Sequence, residues 1–389
     1  MPDSDPEDAP AAEVAAAARR RSLPTWARAV IVVTLLYFFL IAVRLLESGI
    51  SALGEDTSQD LFELATHPLA ALFVGVLATV LVQSSSVTTA TIVGLVAGGV
   101  LTVDAAVPMI MGANIGTTVT NTIVSLASAR QSEEFRRAFT AATMHDVFNI
   151  MAVAILLPLE LATGILTKAA TRLADLFVGG PGGGTFNSPI KGAVKAGAGA
   201  IEDIVAGIIS NPTALGFVLI LLGIIGIFVT LMFITKNMKV LVAQRIEHSL
   251  NAVLAKSGTA GMAAGTLITI AVQSSSITTS ILIPLVGSGL LAVRNAYPIT
   301  LGANVGTTIT ALLAALGAGT VDGLTIALVH TLFNVIAILL LYPIPKLRWI
   351  PVEIAVWMAN LAVRRKWLAI AYVVGLFIVL PLVGILIIT

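Results

Sequence analysis

Long apolar runs cut by short polar islands set the pattern of this chain. Ala27 to Leu46, Ala138 to Leu161 and Thr213 to Thr235 are almost uninterrupted, each close to the roughly 20 residues that a helix needs to cross a bilayer. His67 to Leu101 is equally apolar but is broken near its middle by Gln83-Ser84-Ser85-Ser86 and Thr88-Thr89, and later by Gly98-Gly99. That pattern predicts a discontinuous or re-entrant helix pair in place of two clean spans. Val107 to Leu126 reads as the next span, and Trp367 to Thr389 as the last. The expected fold class is an all-α integral membrane protein.

The islands come in pairs. Val82-Gln83-Ser84-Ser85-Ser86 recurs as Val272-Gln273-Ser274-Ser275-Ser276, 190 positions later. Gly112-Ala113-Asn114-Ile115-Gly116-Thr117-Thr118 recurs at the same offset as Gly302-Ala303-Asn304-Val305-Gly306-Thr307-Thr308. Over the roughly 40 residues that hold both islands, about half the positions are identical. A hydroxyl or amide buried without a partner costs on the order of 1–3 kcal/mol. Duplicated polar clusters in an apolar chain therefore point to a solute site shared by two transmembrane repeats.

Composition removes several classes of function. The 389 residues are 57% hydrophobic and 11% charged, against about 25% charge in soluble domains. A net charge of +1 suggests no nucleic-acid partner, and the absence of cysteine excludes disulfides and thiolate metal sites. No Gly-x-Ser-x-Gly elbow, His-Glu-x-x-His pair or Walker-type phosphate loop is present, so hydrolase, zinc-protease and ATP-driven readings fall away.

Charge then orients the spans. Residues 1–25 read as a disordered cytoplasmic tail, acidic at first and ending near Arg19-Arg20-Arg21, which places the N-terminus inside. Glu47 to Glu63 carries no Lys or Arg and is expected outside, whereas Lys236, Lys239, Arg245 and Lys256 are expected inside. The two Gln-Ser-Ser-Ser islands are thus approached from opposite sides. The connector after the first Gly-Ala-Asn span holds Arg130, Arg136 and Arg137, while its counterpart, Gly317 to Gly323, holds no basic residue. Two inverted-topology repeats are expected, 26–178 and 213–366, separated by an external loop at 179–212 and followed by a C-terminal helix at 367–389. Each repeat carries a re-entrant or discontinuous hairpin bearing a Gln-Ser-Ser-Ser motif.

Neutral groups must do the binding. Asp104 is the only carboxylate between Glu63 and Arg130, and Arg294 the only charged side chain between Lys256 and Asp322. Half-helix N-termini and serine hydroxyls suit an oxyanion; frayed carbonyls, threonines and amide oxygens suit a small hard cation. With no basic side chain to neutralise the anion, co-bound cations supply the compensating charge, which implies coupled cation–anion transport. Gly112, Gly116, Gly302 and Gly306 read as packing positions. His145 and His330 read as hydrogen-bonded interface residues, Asn149 and Asn334 as interhelical bonds, and Asp104 and Arg294 as interfacial loop ends.

The paired Gln-Ser-Ser-Ser motifs, the run from Gly112 to Val124, and Phe135-Arg136-Arg137-Ala138-Phe139 with His145-Asp146 resemble the type II sodium-dependent phosphate cotransporters over most of the chain, Trp26 to about Pro381. The resemblance implies secondary active uptake of inorganic phosphate driven by sodium, in a multi-pass plasma-membrane protein with no cofactor beyond the coupling ion. It makes Ser84, Ser85, Ser86, Ser274, Ser275 and Ser276 the candidate phosphate ligands. It assigns a sodium site to Gln273, Ser274, Thr307 and Thr310; internal symmetry adds Gln83, Thr117 and Thr120, with Asn114 and Asn304 supporting. A sodium-coupled carrier of another oxyanion and a passive phosphate or anion channel or exporter are the competing readings.

Overall fold

The computed structural model describes residues 23–53, 67–178, 191–253 and 258–388. The acidic tail, the outer part of the Glu47 to Glu63 segment, the Gly-rich run at 179–184 and Lys256 lie outside the described residues, as does the side chain of Arg245. Every regular element described is helical, and six helices are long and apolar enough to cross a membrane.

α1 (Thr25–Leu53) packs along α9 (Pro212–Val253). Their backbones approach at small residues: a Cβ on Gly216 would lie 2.8 Å from the Gly49 carbonyl oxygen, the close contact by which helices associate where lipid offers no hydrophobic drive. The broken stretch forms α2 (Pro68–Val82) and α3 (Ser85–Ala97), followed by α4 (Val103–Gly116) and α5 (Val119–Ser125). α6 (Ser132–Thr163) and the amphipathic α7 (Ile165–Val178) complete the first half.

The second half repeats these elements. α10 (Gly258–Val272) and α11 (Ser275–Gly287) match α2 and α3; α12 (Val293–Ala318) matches α4 and α5; α13 (Val321–Leu341) matches α6. A short α14 (Pro345–Arg348) leads into α15 (Ile350–Arg364). The packing matches as well. α2 lies on α4 as α10 lies on α12, and α15 covers α6 as α7 covers α13. In the most apolar window of α12, 72% of residues are buried, against 11% in α16 (Trp367–Ile388), so α12 is central and α16 peripheral.

Two elements differ from the sequence pattern. The expected span from Val107 to Leu126 is two helices meeting at Thr117-Thr118, while α12 runs unbroken through the same cassette. The segment expected as an external loop contains α8 (Lys191–Ala206), which lays the buried Val194 and Ala198 toward α1. The cassette glycines pack as expected. A Cβ on Gly112 would overlap the Leu72 carbonyl, and one on Gly302 the Met262 carbonyl.

Candidate functional site: two broken helices facing one cavity

Both Gln-Ser-Ser-Ser islands fold identically. Gln83 ends α2 at φ 56° and Gln273 ends α10 at φ 57°, the only described non-glycine residues with positive φ. The left-handed turn stops each helix. The next residue, Ser84 (φ −152°) or Ser274 (φ −156°), starts the following helix. Its hydroxyl oxygen accepts from Val87 N at 3.3 Å or Ile277 N at 3.4 Å, an N-cap bond that leaves the hydroxyl proton free. The first intrahelical bonds are donated by Thr88 N and Thr278 N. The N–H groups of Ser85, Ser86, Ser275 and Ser276 therefore have no intrahelical acceptor. Each island presents free N–H groups, a donor hydroxyl and the positive end of a helix dipole.

The two islands meet. Ser86 Oγ donates to the Gln273 carbonyl at 3.3 Å. Gln83, Ser84, Ser86, Gln273, Ser274 and Ser276 line one cavity of about 710 Å³, together with Thr120, Ser280 and the inner part of α9. Ser85 and Ser275 are buried and do not line it.

Each glutamine side chain is fixed twice. Gln83 Nε2 donates to Val80 O at 2.6 Å and Gln273 Nε2 to Ile270 O at 2.7 Å. Their amide oxygens accept from Thr120 Oγ1 at 3.0 Å and Thr310 Oγ1 at 2.9 Å. The structure so joins Gln273 to Thr310 and Gln83 to Thr120. Thr117 and Thr307 instead donate to the carbonyls of Ala113 and Ala303 one turn back, and neither lines the cavity.

Behind the cavity runs a buried polar chain. Asn121 Oδ1 accepts from Thr279 at 2.9 Å and Ser280 at 3.2 Å on α11. Its amide faces His145 Nδ1 at 3.3 Å, and His145 Nε2 meets Asn304 Oδ1 at 2.6 Å. With these amide orientations the imidazole is the Nε2–H tautomer. Asn304 Nδ2 donates to Asn149 Oδ1 at 2.7 Å, and Asn149 Nδ2 to the Asn114 carbonyl at 2.9 Å. Asn334 Nδ2 closes the chain on Asn114 Oδ1 at 3.3 Å. Asn114 and Asn304 thus tie the two halves together behind the cavity and do not line it. Asn304→Leu should leave His145 Nε2 and Asn149 Oδ1 without their partner. It is expected to lower stability by about 2–4 kcal/mol, read as a fall in the thermal unfolding midpoint in detergent.

Sequence reasoning named Asp146 in a family motif and gave it no role of its own. Its Oδ2 accepts from Thr122 Oγ1 at 3.2 Å and Tyr372 OH at 3.0 Å, while its buried Oδ1 has no hydrogen-bond partner. The available signal was its position, since an ionisable residue inside an apolar span is a functional candidate by default. Ser280 was also missed, because its counterpart in the first half is Ala90 and repetition gave no cue.

Two half-helix ends with polar caps, set at one cavity in an apolar helical bundle, are an arrangement found in membrane carriers. Comparison with known proteins gives the kind. The chain belongs to the Na+/Pi-cotransporter family, whose model matches residues 38–179 and 224–378. It is 32% identical over 418 residues to sodium-dependent phosphate transport protein 2A of Rattus norvegicus, covering 89% of this chain and 65% of the relative. To the 2A protein of Ovis aries it is 34% identical, covering 93% and 68%, and to the 2B protein of Homo sapiens 32% identical, covering 91% and 64%. The chain thus spans about two thirds of the length of these relatives. No solved structure matches it.

Proposed function

We propose that this chain is a sodium-driven phosphate symporter of the plasma membrane, with a cytoplasmic N-terminus, working by alternating access. The observation that carries the reading is the meeting of two like helix N-termini, Ser84–Ser86 and Ser274–Ser276, at one cavity with a mutual hydrogen bond. Free N–H groups and serine hydroxyls offer a tetrahedral oxyanion donors from two directions. The relatives are sodium-dependent phosphate transport proteins, which brings phosphate and sodium to this reading. The matched packing of the two halves, together with opposite flanking charges, supports an inverted pair of repeats, so that exchanging the conformations of the halves would move the opening from one side to the other.

For sodium, the structure favours Gln273 with Thr310, and Gln83 with Thr120, over Thr117 and Thr307. An amide oxygen and a hydroxyl 2.9–3.0 Å apart are a neutral oxygen pair that a small hard cation can bridge after the hydroxyl turns.

The test is uptake of radiolabelled phosphate into proteoliposomes under an inward sodium gradient, against an equal potassium gradient. Uptake above the gradient-free level in sodium alone is expected; equal uptake in both salts would replace the symporter with a passive pathway. Gln273→Ala with Thr310→Val is then expected to raise half-saturating sodium about ten-fold, with a smaller change for phosphate. That shift corresponds to one lost ligand pair worth about 1.4 kcal/mol.

A further inference from the structure

The cavity reaches the protein surface at Lys239, which lines it and is exposed. Away from it α3 packs closely on α1: a Cβ on Gly94 would meet Leu46 at 2.6 Å, and one on Gly98 would meet Ile50 at 3.0 Å. At the corresponding positions α11 carries Pro284 and Ser288. There the cavity separates α11 from α9, with Pro284 and Leu285 on one wall and Phe228, Met232 and Lys239 on the other. Among the described residues Lys239 is the only charged side chain lining the cavity. The described ion pairs are Arg44–Glu47 and Arg136–Glu133, so Lys239 is not neutralised by a carboxylate within the described part of the chain.

We infer that the open mouth is the cytoplasmic release path and that Lys239 is the residue in it that holds the oxyanion on its way from the serine motifs to water. The inference rests on the symporter reading above. Lys236 and Lys239 place this end of α9 inside by the positive-inside rule. The serine site itself is neutral, so an anion leaving it parts from its co-bound cations and enters a vestibule walled by apolar side chains. An ammonium with no carboxylate partner among the described residues, set beside apolar walls, directs its field into that space and lowers the cost of the departing charge. Lys191 and Lys195 stand with the Arg44–Glu47 pair at a separate pocket that the serine motifs do not line, so among the described residues Lys239 is the one cation at the serine cavity. The two faces should therefore differ in their apparent affinity for phosphate.

The experiment compares Lys239→Gln, Lys239→Arg and the unmodified chain in right-side-out and inside-out vesicles, measuring half-saturating phosphate and sodium at each face. Lys239→Gln is expected to raise half-saturating phosphate at the Lys239 face roughly three- to five-fold. Half-saturating phosphate at the opposite face, and half-saturating sodium, should stay within a factor of two. Lys239→Arg should restore the value, and the difference should shrink as ionic strength rises. Equal changes at both faces, failure of arginine to restore, or indifference to salt would overturn the role of Lys239. Absence of sodium-dependent uptake by the unmodified chain would instead sink the symporter reading.

Discussion

Ser84→Gly combined with Ser274→Gly is expected to reduce phosphate uptake at least about 100-fold while leaving the protein folded. Glycine is chosen because both serines cap helices. Alanine at an N-cap costs about 1 kcal/mol, whereas glycine costs only a few tenths, so the double glycine variant removes the hydroxyls and keeps α3 and α11 started. Each hydroxyl has a proton free for the cavity, since its oxygen alone serves the cap. A hydrogen bond to a charged group contributes about 1.5–3 kcal/mol. Two lost bonds then amount to about 3–6 kcal/mol, or 10² to 10⁴ in apparent affinity. Phosphate uptake and the thermal midpoint of the purified variant are measured together. Uptake within ten-fold of the parent would mean that backbone N–H groups bind the anion and the hydroxyls only cap.

Gly302→Val is expected to be the most damaging single change to the fold. A Cβ there overlaps the Met262 carbonyl, so α10 and α12 must separate, and a backbone carbonyl cannot turn aside as a side chain would. Overpacking of this kind costs about 3 kcal/mol or more, a large share of total stability. The displacement reaches the site, because Gln273 caps α10 while Thr310, its hydrogen-bond partner, lies on α12. Loss of monodisperse protein and a lowered thermal midpoint are the readouts. Gly199→Ala in α8 is the control. Nothing lies within 4 Å of the added carbon, and helix propensity favours the change by up to about 1 kcal/mol. An unfolding midpoint unchanged by Gly302→Val would show that the two helices do not touch at their backbones.

The broken helices were legible because the polar island interrupts a run that has no other reason to be interrupted, and because it occurs twice. The cassette glycines were legible for the same reason. Which threonine meets which glutamine was only half legible: the family resemblance singled out Thr307 and Thr310 and repetition added Thr117 and Thr120, but in the fold Gln273 meets Thr310 and Gln83 meets Thr120. The break at Thr117-Thr118 was hidden, since the second cassette, nearly identical in sequence, stays helical. The local difference is Asn121 in place of Ala311, and Asn121 is held by Thr279, Ser280 and His145, partners remote in sequence. Asp146 and Lys239 stand outside the duplicated pattern, so repetition gave neither a place at the site. Both are features of one half alone, and both matter through what another element brings to them.

Gln83 and Gln273 carry a consequence of their own. A non-glycine residue held in the left-handed region costs on the order of 1 kcal/mol, and glycine would occupy either turn without that strain. The chain has glutamine at both, so under the sodium site proposed above these two turns are points where heat resistance and ion coupling pull in opposite directions. A programme that selected variants only for survival at high temperature would be drawn toward Gln83→Gly and Gln273→Gly. On that proposal it would return a sturdier bundle with a weakened cation site.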